Sequence, residues 1–316
     1  MSHRAFKGGN DCDEQQATGP MTQTIGMIGL GIMGGAMTRN LIASGFTVAG
    51  LDLDEKARDA AEVAGAQIAT SPASLAETAT NIVVCLPSAK AVMEIATALA
   101  AVKTHKLTVV ETSTLALEDK VAFAKILTEA GHIALDCPLS GTGAQAQTKD
   151  LVVLASGDHA SIERLTPALL GFARKVQNLG DFGNGSKMKF VANLLVAIHN
   201  VAAAEALVLG MKAGLDPKQI VDVISSGAGN SRMFELRAPM MAANTYLPAT
   251  MRSRTWKKDM TVIGDFAASL DCPTPLFNAT GALYEAALAM GRDAEDVAAV
   301  CSVLEAMAGI SRRSEA

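Results

Sequence analysis

Thr24-Ile25-Gly26-Met27-Ile28-Gly29-Leu30-Gly31-Ile32-Met33-Gly34 decides the fold of this 316-residue chain. The first five residues form a short apolar run that reads as a strand, and a helical pattern over residues 33–43 follows, closed by Ser44-Gly45. Between them lies a GxGxxG spacing, which recurs by chance and gains meaning only where a strand precedes it and a helix follows. In that setting Gly29 permits a tight turn, Gly31 lets the backbone approach a pyrophosphate, and Gly34 allows helix and sheet to pack closely. Leu30, Ile32 and Met33 complete the turn. The unpaired N–H groups and partial positive charge of the helix start then suit phosphate groups.

Outward from this turn, strand and helix signals alternate. A strand over residues 47–51, a helix from about residue 55 and a brief strand at 67–68 come next. Residues 81–86 are continuously apolar after Asn81, as a strand buried on both faces should be. A helix at 89–101, a strand at 108–111, a helix at 117–130 and a strand at 133–137 complete the run. Such alternation predicts a parallel sheet covered on both faces, a Rossmann-type doubly wound α/β domain. Two further strands, 151–155 and 175–179, flank a helix at 161–172. After Gly185 the strand signals stop. One helical pattern runs over residues 186–213 to Gly214, and Asp216-Pro217 supplies the cap and first-turn proline of another. The remaining helices are expected to break at Gly227, Pro239, Pro248, Pro273 and Pro275. With a boundary near residues 183–185, the expected organisation is a dinucleotide-binding domain over 21–184 and an all-α domain over 185–316. Residues 1–20, of mixed charge and without an apolar run, read as a disordered extension.

Asp52 ends the second strand, 23 residues after Gly29 and close to the usual separation of about twenty. A carboxylate there accepts hydrogen bonds from ribose hydroxyls and repels a 2′-phosphate. Asp54 and Glu55 add negative charge with no arginine expected nearby, which favours NAD over NADP as cofactor.

Composition narrows the function classes. With 49% hydrophobic and 19% charged residues and a net charge of −5, the chain carries no footprint for nucleic acid or an anionic membrane. The cysteines Cys12, Cys85, Cys137, Cys272 and Cys301 lie far apart, as do the histidines, so no metal site is expected and a reduced, cytoplasmic setting is. The most apolar stretch, residues 191–211, is interrupted by Asn193, His199, Asn200 and Glu205, which suits a buried helix better than a membrane span. With aromatics at 4%, this long helix is expected to pack through small side chains and also to form a subunit interface, in a homodimer or homotetramer.

Gly183-Asn184-Gly185-Ser186-Lys187-Met188-Lys189-Phe190-Val191-Ala192-Asn193 opens that helix. Lys189 and Asn193 stand four apart and share a face. On a helix this apolar, a polar stripe calls for a reason. At this point the chain resembles the β-hydroxyacid dehydrogenase family, which includes 3-hydroxyisobutyrate dehydrogenase and tartronate-semialdehyde reductase. The resemblance runs from Met21 onward and rests on six segments. They are the glycine turn, Leu86-Pro87, Glu111-Thr112-Ser113-Thr114 (where the family has Asp-x-Ser-Thr), Asp136-Cys137-Pro138-Leu139-Ser140-Gly141, the helix start above, and Lys258-Asp259-Met260. It implies that Lys189 is the catalytic lysine and that Asn193 helps to hold substrate. Ser140, Gly141 and Thr142 match the segment that anchors the substrate carboxylate. Leu86 and Pro87 would contact the cofactor, Thr114 would sit near the nicotinamide, and Lys258 would close over the cofactor. The implied reaction is hydride transfer between NAD and a small 3-hydroxy acid or its 3-oxo partner, with Lys189 as general acid/base.

The chain departs from the family pattern in the carboxylate segment, Ser140-Gly141-Thr142-Gly143-Ala144-Gln145. Thr142 replaces a glycine, and Gln145 and Lys149 stand where glycine is common. Either the local backbone differs or position 142 never needed glycine's freedom. Met251 stands where phenylalanine is frequent, and Ala192 where a second asparagine is. Two other functions remain open on this fold: an imine reductase, against which Lys189 argues, and a non-catalytic NAD-binding interaction module.

Overall fold

The computed structural model describes residues 23–312, so the expectation for residues 1–20 lies outside the described residues. The chain begins with β1 (Thr24–Ile28), α1 (Ile32–Ala43), β2 (Thr47–Leu51), α2 (Glu55–Val63), β3 (Gln67–Ile68), α3 (Pro72–Thr78) and β4 (Asn81–Val84). There follow α4 (Ala89–Ala100), β5 (Thr108–Glu111), α5 (Leu117–Glu129) and β6 (Ile133–Asp136). The strands lie in the order β3-β2-β1-β4-β5-β6 and run parallel, so the chain reverses its winding between β1 and β4. A crevice at the carboxyl ends of strands is where such a sheet receives ligands. One core cluster, with Met37, Leu41, Ile162 and Phe172, covers one face, and another, with Leu75, Val92, Leu99 and Phe123, covers the other.

Three features differ from the sequence expectation. Helix α3 was not expected; Ser71 caps it, with Ser74 completing a reciprocal capping box and Pro72 in its first turn. The sheet is mixed and not wholly parallel. After β6 come β7 (Leu139–Ser140), α6 (Gly143–Gln147) and β8 (Val152–Gly157), and β8 runs antiparallel to both β6 and β7. The reason is length: a parallel return needs a crossover of about a dozen residues or more, usually a full helix. The five residues of α6 cannot provide it. Helix α7 (His159–Phe172) then carries the chain to β9 (Lys175–Asn178), parallel to β8.

From Asn184 the chain is helical: α8 (Asn184–Lys212), α9 (Pro217–Ser225), α10 (Arg232–Ala243), α11 (Ser253–Ser269), α12 (Pro275–Ala289) and, after a 3-10 turn at Val297–Ala299, α13 (Val300–Met307). The third difference is Pro239, which lies inside α10 without breaking it. Its ring is exposed, while Phe234, Arg237, Ala238 and Met241 bury the opposite side. Buried contacts there offset the lost backbone bond. Helix α8 is long and apolar enough to cross a membrane by length and composition. Here Phe190, Ala197, Ala204 and Leu207 pack it into a helical core with Trp256 and Tyr284. Asn200 serves that core: its amide donates to Tyr284 Oη (3.1 Å) and to the Val297 carbonyl (3.0 Å).

Candidate active site

The glycine turn after β1 is built as its spacing requires. Gly29 has φ +90°, and a Cβ there would lie 2.1 Å from the Cys85 carbonyl. A Cβ at Gly34 would lie 1.8 Å from the Gly29 carbonyl. Gly31, in contrast, faces open space, so backbone can be approached there. Helix α1 begins one residue earlier than expected, at Ile32, with no side-chain cap and no acid in its first turn. Its first N–H groups therefore remain available to an anion. These are the properties that a dinucleotide pyrophosphate needs.

Asp52, at the end of β2, is fixed to this turn. Its Oδ2 accepts from Leu30 N (2.6 Å) and its Oδ1 from Asp54 N (2.8 Å). Contrary to expectation, an arginine is close: Arg58, on α2, donates to the carbonyls of Asp52 (3.0 Å) and Leu53 (2.9 Å). One helical turn separates Arg58 from Asp54, the residue that caps α2, and this brings its guanidinium back over the loop.

The ends of β4 and β5 form the next part of the rim. Leu86 and Pro87 lie just past β4, and Leu86 N donates to Ser113 Oγ (2.9 Å). Thr114, just past β5, offers its carbonyl to Lys258 Nζ at 2.5 Å. This bond brings α11 to the sheet.

Ser140 ends β7, and Gly141, at φ +139°, turns the chain away from it. Thr142 has φ −106°, so the position never needed glycine. Instead its N–H donates to Gln145 Oε1 (3.0 Å) across the start of α6, and the Gln145 amide reaches Asp150 Oδ2 (3.1 Å). Asp150 in turn pairs with Arg174 (2.7 Å) and lies 3.8 Å from Arg232 of α10. Three of the departures thus belong to one local structure, since Lys149 takes the left-handed φ of +60° that glycine would otherwise supply. Gly143 abuts the glycine turn: a Cβ there would lie 2.7 Å from Ile32 Cγ2.

Helix α8 starts at the end of β6. Gly185 allows the approach, since a Cβ there would lie 2.3 Å from the Leu154 carbonyl. Lys189, 7% exposed, and Asn193, 4% exposed, then share a buried face, as their spacing implies. Among the described residues the Lys189 amine has no ion-pair partner. Burial holds its pKa below the ordinary lysine value; Asp259 opposes that shift and Lys258 reinforces it. Asp259 also accepts from the Asn193 amide (3.2 Å) and lies 3.3 Å from Lys258 Nζ. Lys189, Asn193, Asp259 and Lys258 therefore form one polar cluster, which Lys258 ties to the chain just past the carboxyl end of β5. Asp259 was visible in the sequence only as the neighbour of Lys258. Arg252 and Arg254, on the same stretch, are exposed, and Arg254 pairs with Asp293 (3.5 Å). A buried amine held below the ordinary lysine pKa, with a carboxylate and a second lysine near it, is a chemically poised arrangement.

Two family models match the chain. Residues 24–180 match the NAD binding domain of 6-phosphogluconate dehydrogenase, and residues 183–304 match the NAD-binding domain of NADP-dependent 3-hydroxyisobutyrate dehydrogenase. The chain is 33% identical to an L-threonate dehydrogenase of Cupriavidus necator, over 90% of this chain and 96% of the relative. The chain belongs to the β-hydroxyacid dehydrogenase family. Family membership makes it an NAD(P)-dependent oxidoreductase acting on the CH–OH group of a hydroxy acid. Within the family it is similar in structure to a 3-hydroxyisobutyrate dehydrogenase of Salmonella typhimurium, with a TM-score of 0.79, 30% identity and coverage of 89% and 99% of the two chains. An imine reductase of Streptomyces aurantiacus, at 20% identity and a TM-score of 0.61 over 89% and 99% of the chains, shares the fold alone.

Proposed function

We propose that the protein oxidises a small, hydroxyl-rich 3-hydroxy acid, or reduces the matching 3-oxo acid, with NAD preferred over NADP and Lys189 as general acid/base. The observation that carries this reading is the buried, unpaired Lys189 amine beside Asn193 and Asp259. When bound, the nicotinamide supplies the hydride acceptor or donor. The protein's own residues handle the proton. In oxidation the neutral amine takes the hydroxyl proton, and burial, by favouring the neutral form, prepares it for that task. In reduction the ammonium stabilises the developing alkoxide and protonates it. Asn193, held by Asp259, presents its amide towards the same oxygen, while the Ser140-Gly141-Thr142 turn holds the carboxylate. The choice of a hydroxyl-rich acid rests on the name of the C. necator relative, an L-threonate dehydrogenase.

Supporting NAD is the carboxylate of Asp52, reinforced by Asp54 and Glu55. Arg58 pulls the other way, because bonds to two neutral carbonyls leave its positive charge in place; the preference for NAD rests on the three carboxylates that outnumber it. The exposed apolar residues Met188, Val191 and Leu195 on α8 support a homodimer or homotetramer, and the dispersed cysteines are the ground for reading it as cytoplasmic. The deciding experiment assays purified protein with NAD and NADP against L-threonate, 3-hydroxyisobutyrate and glycerate. Turnover of at least one hydroxy acid should fall by about three orders of magnitude or more in Lys189→Ala, while NADH binding persists. Normal turnover in that variant refutes the assignment.

A further inference from the structure

Beneath the cleft lie three charged side chains with no solvent exposure: Glu111 at the end of β5, Lys120 on α5 and Asp136 at the end of β6. Lys120 pairs with Glu111 and, at 3.1 Å, with Asp136 Oδ1. Burial alone would discharge the Lys120 amine, but the two carboxylates outweigh it and hold its pKa above the ordinary value. A buried triad of this kind is a poor source of stability, since apolar residues of similar volume commonly do as well. Its bonds indicate another use. Asp136 Oδ1 accepts from Ser186 Oγ (2.8 Å), and Oδ2 accepts from Ser186 N (2.8 Å) and Ser156 Oγ (3.3 Å). At the other end, Glu111 Oε1 accepts from Ser113 N (2.8 Å), and Ser113 Oγ holds Leu86 N. A continuous buried network thus joins the rim at Leu86 and Ser113 to the first turn of α8. Ser186 stands three residues before Lys189, about 4.5 Å along the helix axis.

We infer that the Glu111–Lys120–Asp136 triad is a positioning device, which through Ser186 sets the place of Lys189 against the rim of the cleft. The inference rests on the reading of Lys189 as the acid/base. None of the three side chains need touch substrate or cofactor. The triad fixes the helix start in rotation as well as in height, because Asp136 grips both the backbone N–H and the hydroxyl of one residue. Rate depends steeply on such placement, with about a hundredfold lost for a misplacement of about 1 Å.

The test compares Ser186→Ala, Lys120→Met, Lys189→Ala and the double variant Ser186→Ala/Lys189→Ala. Each is measured for kcat and KM with the best hydroxy acid, for NADH Kd and for Tm. Ser186→Ala should lower kcat about 10- to 100-fold, with KM and NADH Kd within about threefold of the parent. In the Lys189→Ala background the same substitution should have no further effect on the residual rate. Lys120→Met should lose at least as much kcat; if it does not fold, Ser186→Ala decides the matter. A Ser186→Ala enzyme with lowered Tm but kcat within twofold of the parent means a merely structural role and overturns the inference. If Lys189→Ala itself turns over normally, the acid/base reading fails instead.

Discussion

Gly185→Ala is the sharpest test of how closely helix placement governs this site. The added Cβ would lie 2.3 Å from the Leu154 carbonyl and 2.7 Å from the Asp136 carbonyl, whereas ordinary contact begins at 3.4 Å. Both obstacles are strand backbone, so the helix start has to yield, by about 1 Å. Lys189 is one turn further along the same rigid element and moves with it. A displacement of that size costs about a hundredfold in rate, or about 2.7 kcal/mol of transition-state stabilisation. Stability should fall by about 1–3 kcal/mol, as for other overpacked sites. The assay is initial-rate kinetics in the oxidation direction, with NADH binding and circular dichroism as controls. The glycine turn lies on other elements, so cofactor affinity should stay within a few-fold. A folded Gly185→Ala enzyme with kcat within threefold of the parent would refute the claim that ångström-scale placement of α8 limits the chemistry.

Four further outcomes are expected. Asp52→Ala should lower kcat/KM with NAD relative to NADP by about tenfold or more, the worth of a hydrogen bond to a charged group; an unchanged ratio removes Asp52 from cofactor selection. Lys149→Gly, which relieves a left-handed φ of +60°, should gain up to about 1 kcal/mol in thermal unfolding, and a fall in Tm contradicts it. The rate of oxidation should rise with pH through an ionisation below the 10.5 of an ordinary lysine. Between the folded and unfolded values the unfolded chain binds more protons, so this group makes stability increase with pH across that window and lowers it at neutral pH. Lys189→Met should therefore abolish turnover and raise Tm at pH 7, and a Tm that falls argues against an uncompensated ammonium.

The parts of the fold legible in the sequence are those set by local rules. The glycine turn, the strand at Asn81 and the capped start at Asp216-Pro217 each depend on a few adjacent residues. The direction of β8 does not. It follows from how little chain separates Ser140 from Val152, and the apolar pattern of a strand is the same in either direction. Helix α3 is not legible in the sequence because its seven residues are too few to establish a period. Pro239 misled because its cost is local, while the contacts that offset it come from elsewhere in the fold. The site was legible where a motif carries its own spacing, as with Lys189 and Asn193. Arg58, Asp259 and the Glu111–Lys120–Asp136 triad act through partners distant in sequence or folded back in space, and pattern reading has no access to those.

The contact between Gly143 and Ile32 has a practical consequence for anyone who would redesign this enzyme. On the proposed reading one wall is shared: on one side it shapes the loop for a pyrophosphate, on the other the turn for a carboxylate. A bulkier residue at either position must shift the other, so attempts to broaden acceptance of new acids at this wall will also change nucleotide affinity. Libraries that vary the two loops together should succeed where those that vary one alone stall.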